Sequence, residues 1–351
     1  MHRRRFFFSS LLLLLLILLF TFLLTTVSSL FSKAEHIPAE SGSVDLFFCP
    51  LDDCEEVLAA AIREASDVRC AFYELNLEQV KAALAKKGEE HAQVLVFDEE
   101  YEEFGIPVPN VKSGLMHDKF CILDGKKVVT GSMNPTQNDA KKNNNNLLII
   151  EGELLAQNYL DEFDELRART SVVGGFGAGE TGERTVQTPI VNHTDTKTNR
   201  TFLIENYFCP EDGCEREVLK ELQSATTSIR FLTFSFTSEA IGDLLVEKSA
   251  RGIPVLGVFE RRQESKYSEY TSLKAAGLAV RLDGNPATMH HKVFLIDAEL
   301  PFATVVLGSY NPTANGNTRN DENLLIIHDQ GIAQRFQEEF ERVYAAGAAG
   351  E

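Results

Sequence analysis

The chain has 351 residues, 44% of them hydrophobic and 25% charged, enough to bury a large core and to divide into two domains. Acidic residues outnumber basic ones 52 to 34, a net charge of −18 that argues against a broad nucleic-acid footprint held by clustered Lys and Arg. It leaves room for a small basic site inside an acidic shell.

The N-terminus reads MHRRR, followed by an uncharged Leu- and Phe-rich run that ends only at Lys33. About 20 apolar residues suffice to cross a bilayer as a helix, and this run exceeds the roughly 7–15 residues of a cleaved signal sequence. Residues 1–32 are therefore predicted to be a signal anchor. Val27-Ser28-Ser29 offers a cleavage site, so a signal peptide is the alternative. Under the positive-inside rule Arg3, Arg4 and Arg5 stay cytoplasmic, which places the remainder outside the cytosol, either membrane-anchored or secreted.

Next come FFCPLDDC and, much later, YFCPEDGC, in which Cys49 and Cys54, and Cys209 and Cys214, enclose residues of turn composition. In an exported chain the simplest reading is two short disulfide loops, Cys49–Cys54 and Cys209–Cys214; a zinc site shared by the four is the alternative. Cys70 and Cys121 lie in apolar strand-like runs and are predicted to be buried, inert thiols.

The first repeat then alternates. Val57, Leu58, Ala61, Ile62 and Ala65 recur at helical spacing, and VRCAFYEL reads as a strand. QVKAALAKK is helical, VLVF is a short buried strand, and KFCILDG and KVVTG pair around a DG turn. LLII is a further strand, and LLAQNYLDEFDELRAR closes the unit with an apolar stripe of Leu155, Tyr159, Phe163 and Leu166. The acidic run Glu99 to Glu103 reads as a solvated face. Residues 171–200, glycine-rich and then polar, are predicted to be a flexible linker; they carry glycosylation sequons at Asn192 and Asn199.

Beyond the linker the order repeats. CEREVL follows YFCPEDG as EEVL follows CPLDDC, HHKVFLID answers MHDKFCILD, GSYNPT answers GSMNPT, and NDENLLII answers NNNNLLII. The chain is thus a duplication, with units at 44–170 and 201–346, too long for solenoid repeats. Mixed helices and strands in this order imply two homologous α-β-α sandwiches, an α/β fold.

Each unit carries His-X-Lys followed by Asp at a fixed spacing: His117, Lys119, Asp124 and His290, Lys292, Asp297. Gly-Ser-X-Asn follows, contributing Ser132 and Asn134, then Ser309 and Asn311. Residues two apart on a strand face the same side, so each histidine shares a site with its lysine. Ammonium, hydroxyl and amide groups beside imidazole suit a phosphate, and two imidazoles supply a nucleophile and a general acid. His291 should face away from His290. His36, His91, His193 and His328 are isolated. Arg261-Arg262 and Lys141-Lys142 are the basic pairs that could flank a cleft.

This duplicated constellation resembles the phospholipase D superfamily, from about residue 44 to 345 outside the linker, and in style its compact nuclease-like and cardiolipin-hydrolase-like branch. The resemblance implies a phospholipase D-like fold with pseudo-twofold symmetry, a single cleft formed within one monomeric chain, and no metal or cofactor. It implies that His117 attacks phosphorus while His290 protonates the leaving oxygen and then activates water. Lys119, Lys292, Asn134 and Asn311 would hold phosphoryl oxygens with Ser132 and Ser309 in support, and Asp124 and Asp297 would be structural. It also implies that Glu322 orients His117 across the halves while Asn145 faces His290, an amide that leaves the acid's pKa lower. The expected activity is phosphodiester hydrolysis, phospholipid favoured. A single-stranded DNA or RNA endonuclease is the alternative, with a cardiolipin synthase-like phosphatidyltransferase or a non-catalytic anchored binding protein behind it.

Overall fold

The computed structural model describes residues 37–109, 114–170, 186 and 188–347. The predicted anchor lies outside these residues; among those described, no helix is long and apolar enough to cross a membrane.

After a short strand β1 (Ala39–Gly42), the first half runs β2 (Val44–Cys49), α1 (Cys54–Glu64), β3 (Val68–Phe72), α2 (Glu78–Lys87), β4 (Ala92–Phe97), β5 (Ile106–Val108), β6 (Lys119–Leu123), β7 (Lys127–Gly131), α3 (Gln137–Lys141), β8 (Asn145–Glu151) and α4 (Glu153–Thr170). The second half runs β9 (Ile190–Asp195), β10 (Arg200–Cys209), α5 (Cys214–Ser224), β11 (Ile229–Thr233), α6 (Glu239–Ala250), β12 (Val255–Phe259), α7 (Glu269–Ala275), β13 (Ala279–Leu282), β14 (Lys292–Ile296), β15 (Thr304–Gly308), α8 (Ala314–Thr318), β16 (Glu322–Ile327) and α9 (Gln330–Ala346).

The first sheet is ordered β2-β8-β7-β6-β3-β4-β5, and the second repeats that order as β10-β16-β15-β14-β11-β12-β13. Strands β6 to β8 and β14 to β16 are continuous apolar runs because helices and the other sheet cover both faces. One shared cluster draws Leu148, Ile150, Tyr159 and Phe163 from the first half, and Phe208, Leu307, Leu325 and Phe336 from the second. The stripe on α4 is buried as its spacing predicts. The mirror stripe on α9 comprises Ile332, Phe336, Phe340 and Val343. Asp329 caps α9 by accepting the Ile332 N–H.

Two expectations are corrected. The predicted linker is too long: residues 190–195 and 200–209 are strands, β9 pairing antiparallel with β10 and parallel with β1. A hairpin whose first strand alternates buried and partly exposed residues hides from hydrophobic pattern, because one face of it meets water. Asn192 lies in β9, and Asn199 occupies the turn at φ 57. Residues 171–185 lie outside the described part. Second, Cys70 and Cys121 are not free thiols. They stand directly opposite on antiparallel β3 and β6 and form a disulfide. Strand register across 51 residues decides this, and local composition does not report it. Cys49–Cys54 and Cys209–Cys214 are bonded, so none of these four cysteines is a thiolate for zinc.

Candidate active site

Each His-X-Lys motif enters a central strand. Lys119 is the first residue of β6 and Lys292 the first of β14. The neighbouring antiparallel strands β3 and β11 end alongside, so the Tyr73 N–H donates to Asp118 O and the Phe234 N–H to His291 O. Tyr73 then meets the His117 ring edge-on at 5.0 Å between centroids, and Phe234 meets His290 at 4.6 Å. Each lysine folds back over the same aromatic ring and donates to its histidine's carbonyl, Lys119 at 2.7 Å and Lys292 at 3.0 Å.

The halves are stitched together at these residues. The His117 N–H donates to Asp321 O at 2.9 Å, and the His290 N–H to Asn144 O at 2.9 Å. This reciprocity is that of an isologous pair. It delivers the start of β16 to His117 and the start of β8 to His290. His117 Nδ1 lies 2.8 Å from Glu322 Oε2, and His290 Nδ1 lies 3.0 Å from Asn145 Oδ1. An ionised carboxylate only accepts, so Nδ1 of His117 carries the proton and Nε2 is left bare. Lys292 Nζ, 3.1 Å from His290 Nε2, is a donor and selects the same tautomer there.

A further carboxylate reaches His290 that sequence reasoning missed. Asp139 Oδ2 on α3 lies 3.3 Å from His290 Nδ1, so the expectation that His290 faces only an amide is corrected. Asp139 is held by the Asn134 N–H at 2.7 Å and by Asn134 Nδ2 at 2.9 Å. Asn134 thus directs one N–H of its Nδ2 to Asp139. The side-chain oxygens of Asn134 and Asn311 are buried without a protein partner.

The serines likewise serve the histidines' partners. Ser132 Oγ donates to Asn145 Oδ1 at 3.0 Å. Ser309 Oγ accepts the Asn323 N–H and bonds Glu322. Gly131 and Gly308 precede them at φ 146 and 140, where a Cβ would come within 2.3 Å of the carbonyls of Asn146 and Asn323; only glycine fits. Asp124 and Asp297 lie away from this chemistry, at φ 55 and 50. Asp124 accepts the N–H groups of Ser66 and Asp67, and Asp297 those of Thr226, Thr227 and Ser228. His291, fully buried, is held between Asn146 and Glu339.

Burial and mutual repulsion govern the titration of the basic groups. Burial, then Lys119 and Lys292, holds His117 well below the usual imidazole range. Burial and Lys292 bring His290 to about 4, and burial brings Lys119 down to about 8. Lys292 is pushed well down by burial and by Lys119. Burial lifts Glu322 to about 7, Lys119 opposing. Burial also acts on Asp139, but His290 and its hydrogen-bond donors overcome it and hold the carboxyl below its usual range. Burial depresses all four basic side chains and repulsion adds to it at His117, His290 and Lys292, so an anion would relieve the site.

The rims differ. Tyr73 OH lies 3.4 Å from Glu100 Oε1, and burial with Glu100 lifts the phenol to about 12. The acidic run therefore touches the aromatic ring beside His117, and is more than a solvated face. At the matching place in the second half Arg262 Nη1 donates to Thr288 Oγ1, two residues before His290. Lys141 is engaged by Asp53 and Glu55.

A family model described as "Cardiolipin synthase, PLD-like domain" matches residues 60–167 and again 218–344. A phospholipase D of Rickettsia conorii is 31% identical over 134 residues, 38% of this chain and 65% of that protein. A mitochondrial cardiolipin hydrolase of Xenopus laevis is 33% identical over 141 residues, 39% of this chain and 65% of that protein. The chain thus spans just under two thirds of the length of these two relatives. The crystal structure of phosphatidylserine synthase from Haemophilus influenzae Rd KW20 superposes with a TM-score of 0.61 at 12% identity, over 86% of this chain and 87% of that one, a likeness of fold.

Proposed function

From the premise that this chain belongs to the phospholipase D-like (PLD-like) domain family, whose model it matches in both halves, we propose that it is a phosphodiesterase working through a phosphohistidine. The observation that carries this reading is the pair of buried histidines, each held at Nδ1 from the opposite half with Nε2 unprotonated, beside two lysines.

His117 Nε2 attacks phosphorus, forming the N–P bond as the P–O bond to the leaving alcohol breaks. His290, protonated once the anionic phosphodiester sits among the basic groups, gives its proton to the departing oxygen. It then takes a proton from water, whose oxygen displaces His117 and releases the phosphomonoester. Lys119 and Lys292 neutralise the phosphoryl oxygens throughout. An alcohol in place of water would give transfer by the same intermediate.

The substrate we favour is a phospholipid. The acidic balance and the acidic rim at Tyr73 weigh against a long polyanion, and an N-terminal anchor would hold the site near lipid. Three disulfides suit an oxidising, extracytoplasmic compartment. Both half-sites come from one chain, so we propose an active monomer.

The test offers the full protein phospholipid vesicles and single-stranded DNA or RNA, each in excess chelator. Release of phosphatidic acid, abolished in His117→Ala, is the expected result. Cleavage of nucleic acid instead transfers the reading to a nuclease. A strict requirement for added divalent metal, or cleavage of neither substrate, overturns it.

A further inference from the structure

Aligning the Gly-Ser motifs sets Gln137–Lys141 against Ala314–Thr318, so Asp139 corresponds to Gly316 as Asn145 corresponds to Glu322. In the first half the acid stands on the short helix and the amide on the strand. In the second half the helix position has no side chain and the strand position carries the acid.

The exchange is spatial as well. A Cβ added at Gly316 would lie 2.4 Å from Asn311 O and 3.3 Å from Glu322 Oε1. The Asn311 carbonyl bars a side chain at 316, and the carboxylate of the longer Glu322 lies close to the same place. In the first half the shorter Asn145 leaves room for Asp139. Asn145 is fixed in a single sense, since its Nδ2 donates to Asp139 O at 3.2 Å and its Oδ1 accepts from Ser132. Asp139 is equally fixed by Asn134 and Asn143, and its backbone N–H donates to Thr136 Oγ1 at 3.2 Å. Side chains held this firmly do not drift onto an imidazole nitrogen.

We propose that the carboxylate missing at Asn145 has been relocated to Asp139, making Asp139 the positioning residue of His290 and Gly316 the vacated counterpart. The proposal rests on the reading that both histidines carry the chemistry. It changes that reading in one respect. Neither histidine is left to a neutral partner, so the amide does not mark the acid. What distinguishes the histidines is the origin of the charge: one acceptor on a strand for His117, and an amide with an ionised acid from a helix for His290. The four positions then form one coupled set in which single exchanges fail and paired exchanges succeed.

The test uses the full-length protein with 15N-labelled histidine, comparing wild type, Asp139→Asn, Asn145→Glu and the double variant Asp139→Gly/Asn145→Glu. Lys292, Lys119 and His117 are the other charged groups about the His290 ring, and they are unchanged in every variant. Asp139→Asn is expected to lower kcat on the order of 10- to 100-fold, as loss of a partner that orients a functional histidine does, and to move the His290 titration to lower pH. The double variant, which copies the second half, is expected to restore both to near wild type. Asn145→Glu alone crowds two carboxylates and is expected to fall below wild type.

A His290 titration unmoved in Asp139→Asn, or a double variant no better than Asp139→Asn, overturns the proposal. Loss of thermal stability with kcat and the titration intact gives Asp139 a structural role only and overturns it as well. The titration needs no substrate, so it reports on Asp139 even where the wild type cleaves nothing and the proposed function itself fails.

Discussion

The first half ties β3 to β6 with the Cys70–Cys121 disulfide; the second places Phe231 against Phe294 at the same registered positions, ring centroids 5.9 Å apart. The residue after each motif histidine shows the same divergence. His291 bridges Asn146 and Glu339, whereas its counterpart Asp118 is fully buried with both carboxylate oxygens unpartnered. Glu162, the counterpart of Glu339, also has a buried oxygen without a partner, and burial with mutual repulsion raises both acids. Strand order, the glycines before the two serines and an Nδ1 partner supplied to each imidazole from the opposite half are kept, and the layer behind them is free to change. Geometry at the reacting nitrogens is the shared requirement, and the means of holding it is not.

Removing one catalytic imidazole should produce the largest effect and the sharpest test of equivalence. His117→Ala and His290→Ala should each lower turnover by at least about 10³-fold. Single-turnover experiments quenched with denaturant at alkaline pH, where an N–P bond survives, should trap phosphoenzyme in His290→Ala with an activated leaving group and none in His117→Ala. The reverse pattern exchanges the two roles.

The next comparison is of the supports. Replacing Cys70 and Cys121 by alanine should lower unfolding free energy by about 2–4 kcal/mol, read from denaturant melts. Phe294→Ala should cost about 3–5 kcal/mol through the cavity it leaves. Costs of similar size would show that covalent and packed supports are interchangeable.

Asp118 and His291 should respond with opposite signs. Asp118→Asn removes an unpaired buried carboxyl and should stabilise by about 1–3 kcal/mol at neutral pH. The Asp118 pKa is raised on folding, so the native state holds its proton longer than the unfolded chain does. Stability from this group is therefore full below the unfolded value and falls as pH rises above it. The advantage of Asp118→Asn should vanish at low pH. His291→Asn, which takes one partner from Glu339 and leaves it to Arg342, should destabilise, and by less. Smallest of all, Glu100→Gln should lower the Tyr73 phenol from about 12 without altering turnover, a shift visible in ultraviolet titration.

Much of this architecture was legible in the sequence because a duplicated chain reports on itself. Apolar runs at strand length, the paired Gly-Ser motifs and the two His-X-Lys triplets fixed order and cleft, and Glu322 was found through the one letter that broke the repeat. Asp139 was not, although its mismatch with Gly316 was equally visible. It lies in a five-residue helix with no periodicity, and its contact crosses between halves. The Cys70–Cys121 bond required knowing which strands neighbour each other. The β9–β10 hairpin reads as linker because its outer face is polar.

Strand β1 precedes the first half in sequence and pairs as a strand within the sheet of the second, through parallel pairing of Ala39 to Gly42 with Asn192 to Asp195. Its consequence is mechanical. Tension entering at Ala39 and leaving through the C-terminal half would load this parallel ladder in shear, so its bonds must yield together instead of unzipping singly. The first half would sit in the slack between the two loaded strands, with its histidine carried outside the line of force.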